Sequence, residues 1–201
     1  MDFRVSKTRG NLMRAFAGEC QARNRYTFAA AVAGASGLHA IARIFQFTAE
    51  QEREHAEIFF KLLAPCEGEN IHIDAAFPVE NAAWSTDRLL RSAQHNEYEE
   101  ARSVYPAFAA TAKEEGFSAA AAAFERIAKI EQIHGERFGL LAQRIEEGRI
   151  FLADGEGERW LCLKCGHVHT GAQVPPVCPV CKHAQGYFVR ADDQGIWTMI
   201  R

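Results

Sequence analysis

Four cysteines, Cys162, Cys165, Cys178 and Cys181, fall into two pairs, each with two residues between its members. Each pair can present two thiolates from one tight turn, and four soft sulfur ligands complete a tetrahedron around a single ion. The spacing fits iron and zinc alike. Gly166 follows the first pair, where a residue free to take positive φ lets backbone N–H groups turn toward the sulfurs, whereas Lys182 holds the equivalent place in the second. The two turns are therefore expected to differ. His167, His169 and His183 lie nearby, but four thiolates already fill the tetrahedron, so these histidines are assigned to the surface or to packing.

A second set combines carboxylates and imidazoles. Glu52-Arg-Glu-His55 and Glu131-Gln-Ile-His134 each put a glutamate and a histidine one helical turn apart on one face. Glu69-Asn-Ile-His72 repeats the pattern in a segment read as loop and is set aside as a coincidence. The other two matches are distinguished by a glutamate at nearly the same distance upstream, Glu19 before Glu52 by 33 residues and Glu97 before Glu131 by 34. The chain thus reads as an internal repeat of two helix pairs. Folded as an antiparallel bundle, the two halves converge with a Glu from each of two helices and a Glu-x-x-His from each of the others, the di-iron carboxylate arrangement of ferritin-like bundles. Hard carboxylates hold and bridge two irons, while one imidazole per half fixes geometry. Burying such acids without a cation is costly.

Glu50, Glu54 and Glu57 differ in phase from Glu52 and His55 and are read as a solvated face. Glu100, one turn after Glu97, is a carboxylate beyond what such a site strictly needs. Tyr26 and Tyr105 are candidates for hydrogen bonds to ligand carboxylates. Cys20 and Cys66 have no partner at metal spacing and are read as structural.

The elements that must position these groups are long helices. Apolar residues recur three and four apart from about Lys7 to Gly148, predicting helices over about Ser6–Ala35, Leu38–Leu63, Glu80–Lys113 and Phe117–Glu147. The first two are joined by a short break at Gly34 to Gly37 and must be antiparallel neighbours. Cys66 to Pro78 is the long connection across the end of the bundle. Gly116 and Gly148 are candidate terminal glycines, and Pro106 should kink the third helix. After a polar linker at Asp154 to Gly157 come short aromatic and β-branched runs between Gly and Pro turns, a second, β-rich unit. It is too short to hold itself together by burial alone, and a bound metal would supply the difference.

The bulk properties narrow the function classes. With 48% apolar residues in 201 the chain can bury a core, and a net charge of −3 from interspersed acids and bases leaves no basic stripe for nucleic acid. No run is long enough to span a bilayer, so no membrane is expected. Six cysteines without an export signal suggest metal ligands or free thiols and a cytoplasmic protein.

Together the two sites resemble one family. Ala17-Gly-Glu-Cys-Gln-Ala-Arg-Asn-Arg-Tyr26, Gln51-Glu-Arg-Glu-His55, Glu97-Tyr-Glu-Glu100, Tyr105-Pro106, Glu131-Gln-Ile-His134, and Trp160-Leu-Cys162 through His167 are similar to rubrerythrin. Cys20 stands where family members carry serine. The resemblance covers nearly the whole chain and implies a mainly α protein: a ferritin-like four-helix bundle over residues 1–149, then a small β-rich rubredoxin-like metal-binding domain over 155–201. It implies a non-haem di-iron peroxidase that reduces hydrogen peroxide to water. Glu52 and Glu131 would bridge the irons. One iron would take Glu19 and exchange Glu100 for His55 between redox states, and the other would take Glu97 and His134. Beside such a site an FeS4 centre has an electron-transfer purpose, so iron is favoured over zinc in the cysteine site, with zinc as a replacement. Trp160 and Tyr187 would shield its sulfurs. The implied partners are an electron-donating reductase or rubredoxin, drawing on a reduced nicotinamide cofactor, and a second copy in a homodimer. Two other readings fit parts of the chain, a ferroxidase or iron-storage protein and a zinc-ribbon interaction module carried on a helical bundle.

Overall fold

The computed structural model describes residues 1–81 and 83–191. Residues 192–201, the end of the expected small domain, lie outside the described residues. Five α-helices build the larger part: α1 (Lys7–Ala35), α2 (His39–Leu62), α3 (Thr86–Glu99), α4 (Tyr105–Glu114) and α5 (Ser118–Glu146). A π-helical turn at Glu100–Val104 joins α3 to α4 without a break, so the two form one rod and the layout is a four-helix bundle. Ser6 caps α1 by accepting from the Arg9 N–H at 3.1 Å. Gly37, at φ 77°, lets the chain reverse directly into α2. Gly116 and Gly148, at φ 87° and 67°, end α4 and α5 as expected.

Two features set the form of the third helix. The third helix begins at Thr86 rather than near Glu80, because Ser85 takes an extended conformation at the cap position. Glu80 is instead tied to α1 by an ion pair with Arg25 at 2.8 Å. Just before Pro106, where the sequence predicts a local disturbance, the helix widens into a π turn, in which the Tyr105 N–H bonds to the Glu100 carbonyl. Proline has no N–H to offer to the turn behind it, and the wider π turn absorbs the missing bond.

The stripes of small and apolar residues that face inward form two core clusters. One holds Tyr26, Phe45, Leu90 and Phe138, and the other Leu12, Phe59, Tyr105 and Phe124. Between them on every rod the inward register passes to polar groups: Glu19 on α1, Glu52 and His55 on α2, Glu97 on α3, and Glu131 and His134 on α5, all buried. The acids therefore sit mid-bundle with an apolar plug on either side. α3 and α5 approach closely because α5 carries glycine at the contacts: a Cβ on Gly135 would lie 2.5 Å from the Tyr98 ring, and one on Gly139 would run into Gln94.

The small unit is a three-stranded antiparallel sheet in the order β2-β1-β3, from β1 (Arg159–Cys162), β2 (Val168–Thr170) and β3 (Phe188–Arg190). Trp160 faces His169 on one side and Arg190 on the other. Trp160, Cys162, Val174, Cys178 and Phe188 make its core. Asp154, expected in the linker, is held by Arg149 and Arg190, and the Val174 N–H bonds to the Phe151 carbonyl at 3.0 Å. No helix among the described residues is long and apolar enough to cross a membrane.

Candidate metal centres

The structure gathers six of the seven predicted carboxylate and imidazole groups into two sets of four. One is Glu19, Glu52, His55 and Glu131; the other is Glu52, Glu97, Glu131 and His134. Glu52 and Glu131 belong to both, and their oxygens divide between the two histidines. His55 Nδ1 lies 3.1 Å from Glu52 Oε2 and 2.9 Å from Glu131 Oε1. His134 Nδ1 lies 3.0 Å from Glu52 Oε1 and 2.8 Å from Glu131 Oε2. Glu19 stands 3.9 Å from His55, and Glu97 stands 3.7 Å from His134. The internal repeat of the sequence thus appears as two equivalent positions that share a pair of carboxylates.

Buried polar groups are normally hydrogen-bonded. Here Glu19 Oε2, Glu52 Oε1, Glu97 Oε2, both Glu131 oxygens and His134 Nδ1 are buried without such a partner. All of them face one another across the two positions, so the donor set fits a pair of cations. The remaining oxygens are oriented from behind by phenols. Tyr105 donates to Glu19 Oε1 at 2.5 Å, and Tyr26 donates to Glu97 Oε1. Each of these tyrosines also belongs to one of the flanking apolar clusters.

The buried acids and imidazoles shift one another strongly. Burial, then the neighbouring Glu131 and Glu52, hold Glu19 well above the usual carboxylate range. Burial and the Glu52 and Glu131 charges push Glu97 up to about 8. Glu52 goes the other way: burial raises it, but the His134 and His55 imidazoles outweigh that and hold it below the usual range. Burial lowers His55, yet Glu131 and Glu52 bring it up to about 10. The opposed directions have one cause, acids and imidazoles crowded in a buried space whose charge a pair of cations would balance.

Glu100 behaves differently. It stands outside both sets of four, and alone among the seven it is partly exposed, lining a cavity with Gly18 and Tyr105. Glu50, Glu54 and Glu57 are exposed and paired with Arg23, Arg53 or Lys61. Glu69 pairs with Arg4 and Arg9 in the loop, away from the site. Three supporting residues escaped the sequence reading. His134 Nε2 lies 3.2 Å from Gln51 Oε1, and Arg137 Nη1 donates to that same oxygen at 3.4 Å and to Thr48 Oγ1 at 2.6 Å. The shared acceptor fixes the amide and calls for a proton on Nε2, which leaves His134 Nδ1 as the ligand atom. The available signal was Arg137 itself, a cation one turn beyond His134 on the buried face.

The four cysteines form the third cluster. Cys162 Sγ and Cys181 Sγ are 3.8 Å apart, as are Cys165 Sγ and Cys178 Sγ. A disulfide needs about 2 Å, whereas a tetrahedron with metal–sulfur bonds of about 2.3 Å has edges near 3.8 Å. The two turns are alike in backbone despite the sequence difference. Gly166 has φ 80° and Lys182 has φ 63°, the one described non-glycine residue with positive φ. The Gly166 N–H bonds to Cys162 O at 2.8 Å and the Lys182 N–H to Cys178 O at 3.0 Å. Lys182 accepts the strained conformation and donates its Nζ to Pro179 O at 2.8 Å. Burial pushes the Cys178 thiol up, but the Cys181 and Val180 N–H groups overcome this and bring it to about 7. None of His167, His169 and His183 is among the cluster's ligand atoms.

The bundle and the cysteine unit each match a family model. Residues 10–142 match the model described as Rubrerythrin, and residues 160–189 match the one described as Rubrerythrin, rubredoxin-like domain. The chain is 48% identical over 186 residues to the rubrerythrin of Clostridium perfringens, covering 91% of this chain and 93% of that protein. It is also 48% identical over 183 residues to the rubrerythrin of Porphyromonas gingivalis, covering 91% and 89%. A solved structure of nigerythrin in a mixed-valence state superimposes with a TM-score of 0.62 at 33% identity, covering 92% of this chain and 87% of that one. The matches cover both parts of the chain, the helical bundle with its carboxylate-histidine cluster and the four-cysteine unit. The chain belongs to the rubrerythrin family.

Proposed function

We propose that the protein is a non-haem di-iron peroxidase that reduces hydrogen peroxide to two waters and draws its electrons through an iron in the four-cysteine site. Family membership supports an iron-based oxidative-stress function, and the single observation that carries the finer reading is the pair of four-residue sets sharing Glu52 and Glu131. Glu52 and Glu131 would bridge, Glu19 and His55 would complete one position, and Glu97 and His134 the other. When bound, the irons of the carboxylate site supply the electron pair that cleaves the peroxide bond, and an iron in the cysteine site supplies electrons singly from an external reductase or rubredoxin.

The chain's own residues prepare that chemistry. Tyr105 and Tyr26 hold Glu19 and Glu97 from behind, so that each carboxylate presents its free oxygen to its position. The two apolar clusters keep water from entering along the bundle axis. Glu100, which lines the cavity, is placed to carry protons and to approach the Glu19 position, which supports the exchange with His55. Cys165 is exposed at the surface, where an electron donor could come close.

The small unit sits close to the bundle of its own chain. It docks near the start of α2, where Arg43 donates to Leu163 O and His39 stacks on Tyr187 with ring centroids 4.2 Å apart. Glu52 and His55 lie 9 and 12 residues further along the same helix, about 14 and 18 Å at about 1.5 Å per residue. The homodimer that the resemblance implies, with a second copy's small unit serving each bundle, is part of the same proposal and is tested by light scattering. The thiols, gathered at metal spacing rather than in disulfides, suit the reducing cytoplasm. Stopped-flow mixing of the reduced protein with hydrogen peroxide tests the proposal: rapid reoxidation is expected, and slow or absent reoxidation would sink it.

A further inference from the structure

Four residues of α1, Arg14, Gly18, Gln21 and Arg25, recur at alternating spacings of four and three and so form one stripe along the helix. The segment Ala75–Pro78 of the long connection lies against that stripe and encloses a cavity of about 280 Å³. Both ends of the segment are fastened to the same helix. Arg14 Nε donates to Asp74 O at 3.0 Å, and Arg25 Nη1 meets Glu80 Oε1 at 2.8 Å with both side chains nearly buried. Glu100 and Tyr105 form the inner wall, together with Asn96, whose buried Nδ2 has no hydrogen-bond partner. A Cβ on Gly18 would stand 3.7 Å from Glu100 Oε1 and 3.9 Å from the Phe77 ring, so the glycine keeps open the gap between the ring and the carboxylate.

We propose that this cavity is the oxidant's way in and that Phe77 sets the size of peroxide that reaches the carboxylates. The inference rests on the peroxidase reading above. A cavity this large admits molecules far bigger than hydrogen peroxide, so its volume does not select. Selection falls at the gap between Phe77 and Glu100, floored by Gly18. Glu100 is the one member of the seven-residue set that is not fully buried, and it lines this cavity. Hydrogen peroxide, small and able both to donate and to accept, meets the Glu100 side chain on the inner wall, with the unpartnered Asn96 amide buried in the same wall. A hydroperoxide bearing an aromatic or branched group meets the Phe77 ring first.

The test uses the iron-loaded full chain and two variants. In stopped flow the reduced wild type should react with hydrogen peroxide about 100-fold faster than with cumene hydroperoxide, and Phe77→Ala should narrow that ratio about tenfold by speeding the bulky oxidant. A binding readout stands apart from turnover. Azide association with the oxidised protein, followed by its absorption band, should slow about tenfold or more in Gly18→Leu, whose side chain fills the gap, with iron content unchanged. Phe77 is 42% exposed, so its truncation leaves the core intact even if the glycine variant folds poorly. An unchanged peroxide ratio in Phe77→Ala, or azide entry into iron-loaded Gly18→Leu at the wild-type rate, overturns the proposal. Failure of wild type to react with hydrogen peroxide would instead overturn the peroxidase reading, and the azide rates would still decide the passage.

Discussion

Glu52 and Glu131 each point one oxygen at either histidine, so neither can be lost from one metal position alone. Replacing either with alanine should remove iron from both positions, whereas Glu97→Ala or His134→Ala should weaken one iron more than the other. Glu100→Ala, outside both sets, should keep its iron and change mainly the redox response. Mössbauer spectra with iron analysis separate these outcomes, and equal loss in all variants would contradict the assignment. The metal-free protein should also respond to pH with a definite sign. Folding raises His55 from 6.5 to about 10 and Glu97 from 4.5 to about 8. Each holds its proton more tightly when folded, so each stabilises the metal-free fold at low pH and loses that contribution as pH rises through the folded value. The urea midpoint of metal-free protein should therefore fall as pH rises from about 4.5 to about 10, while the iron-loaded protein, with its histidines deprotonated onto metal, should change less. At this scale much was legible, because Glu-x-x-His has a spacing that a helix turns into geometry. Gln51, Thr48 and Arg137 were not, since a polar side chain at a buried register is recognised as a support only once its partner's position is known.

Among the elements, the α3–α5 contact carries the sharpest prediction. Alanine normally gains about 1 kcal/mol over glycine inside a helix, yet a Cβ on Gly135 would press on the Tyr98 ring. Gly135→Ala should thus lower stability by about 1–3 kcal/mol, as overpacking does, with thermal denaturation as the check; a stabilised variant would show the contact to be loose. The helices themselves were legible from their apolar period, and their glycine ends from Gly116 and Gly148. The π turn was not. Pro106 signalled a disturbance, but its form as a widened turn depends on which carbonyl the Tyr105 N–H meets, and periodicity does not encode that. The turn of Lys182 was missed for a related reason: glycine is the usual signal of positive φ, and a lysine held there by the cysteine cluster gives none.

At the scale of the molecule, the seating of the small unit on the bundle depends on a backbone approach at Gly186, where an added Cβ would fall inside the Gly37 carbonyl. Gly186→Ala should lift the small unit from α2 while leaving its cysteine site intact. Limited proteolysis should then cut faster between the two units with the visible spectrum unchanged, and equal cutting would contradict the seating. No spacing rule pairs residue 186 with residue 37, so this contact was invisible in the sequence, whereas the order of the two units was plain from the change of composition after Gly148. The whole account requires both centres to hold iron, and their ligands alone leave zinc a competitor in the cysteine site. The most direct measurement is therefore Mössbauer spectroscopy with metal analysis on protein isolated anaerobically from its own host. The predicted result is two coupled irons in oxygen and nitrogen ligation and a third in tetrahedral sulfur ligation; zinc in the cysteine site, or a single uncoupled iron in the bundle, would contradict it.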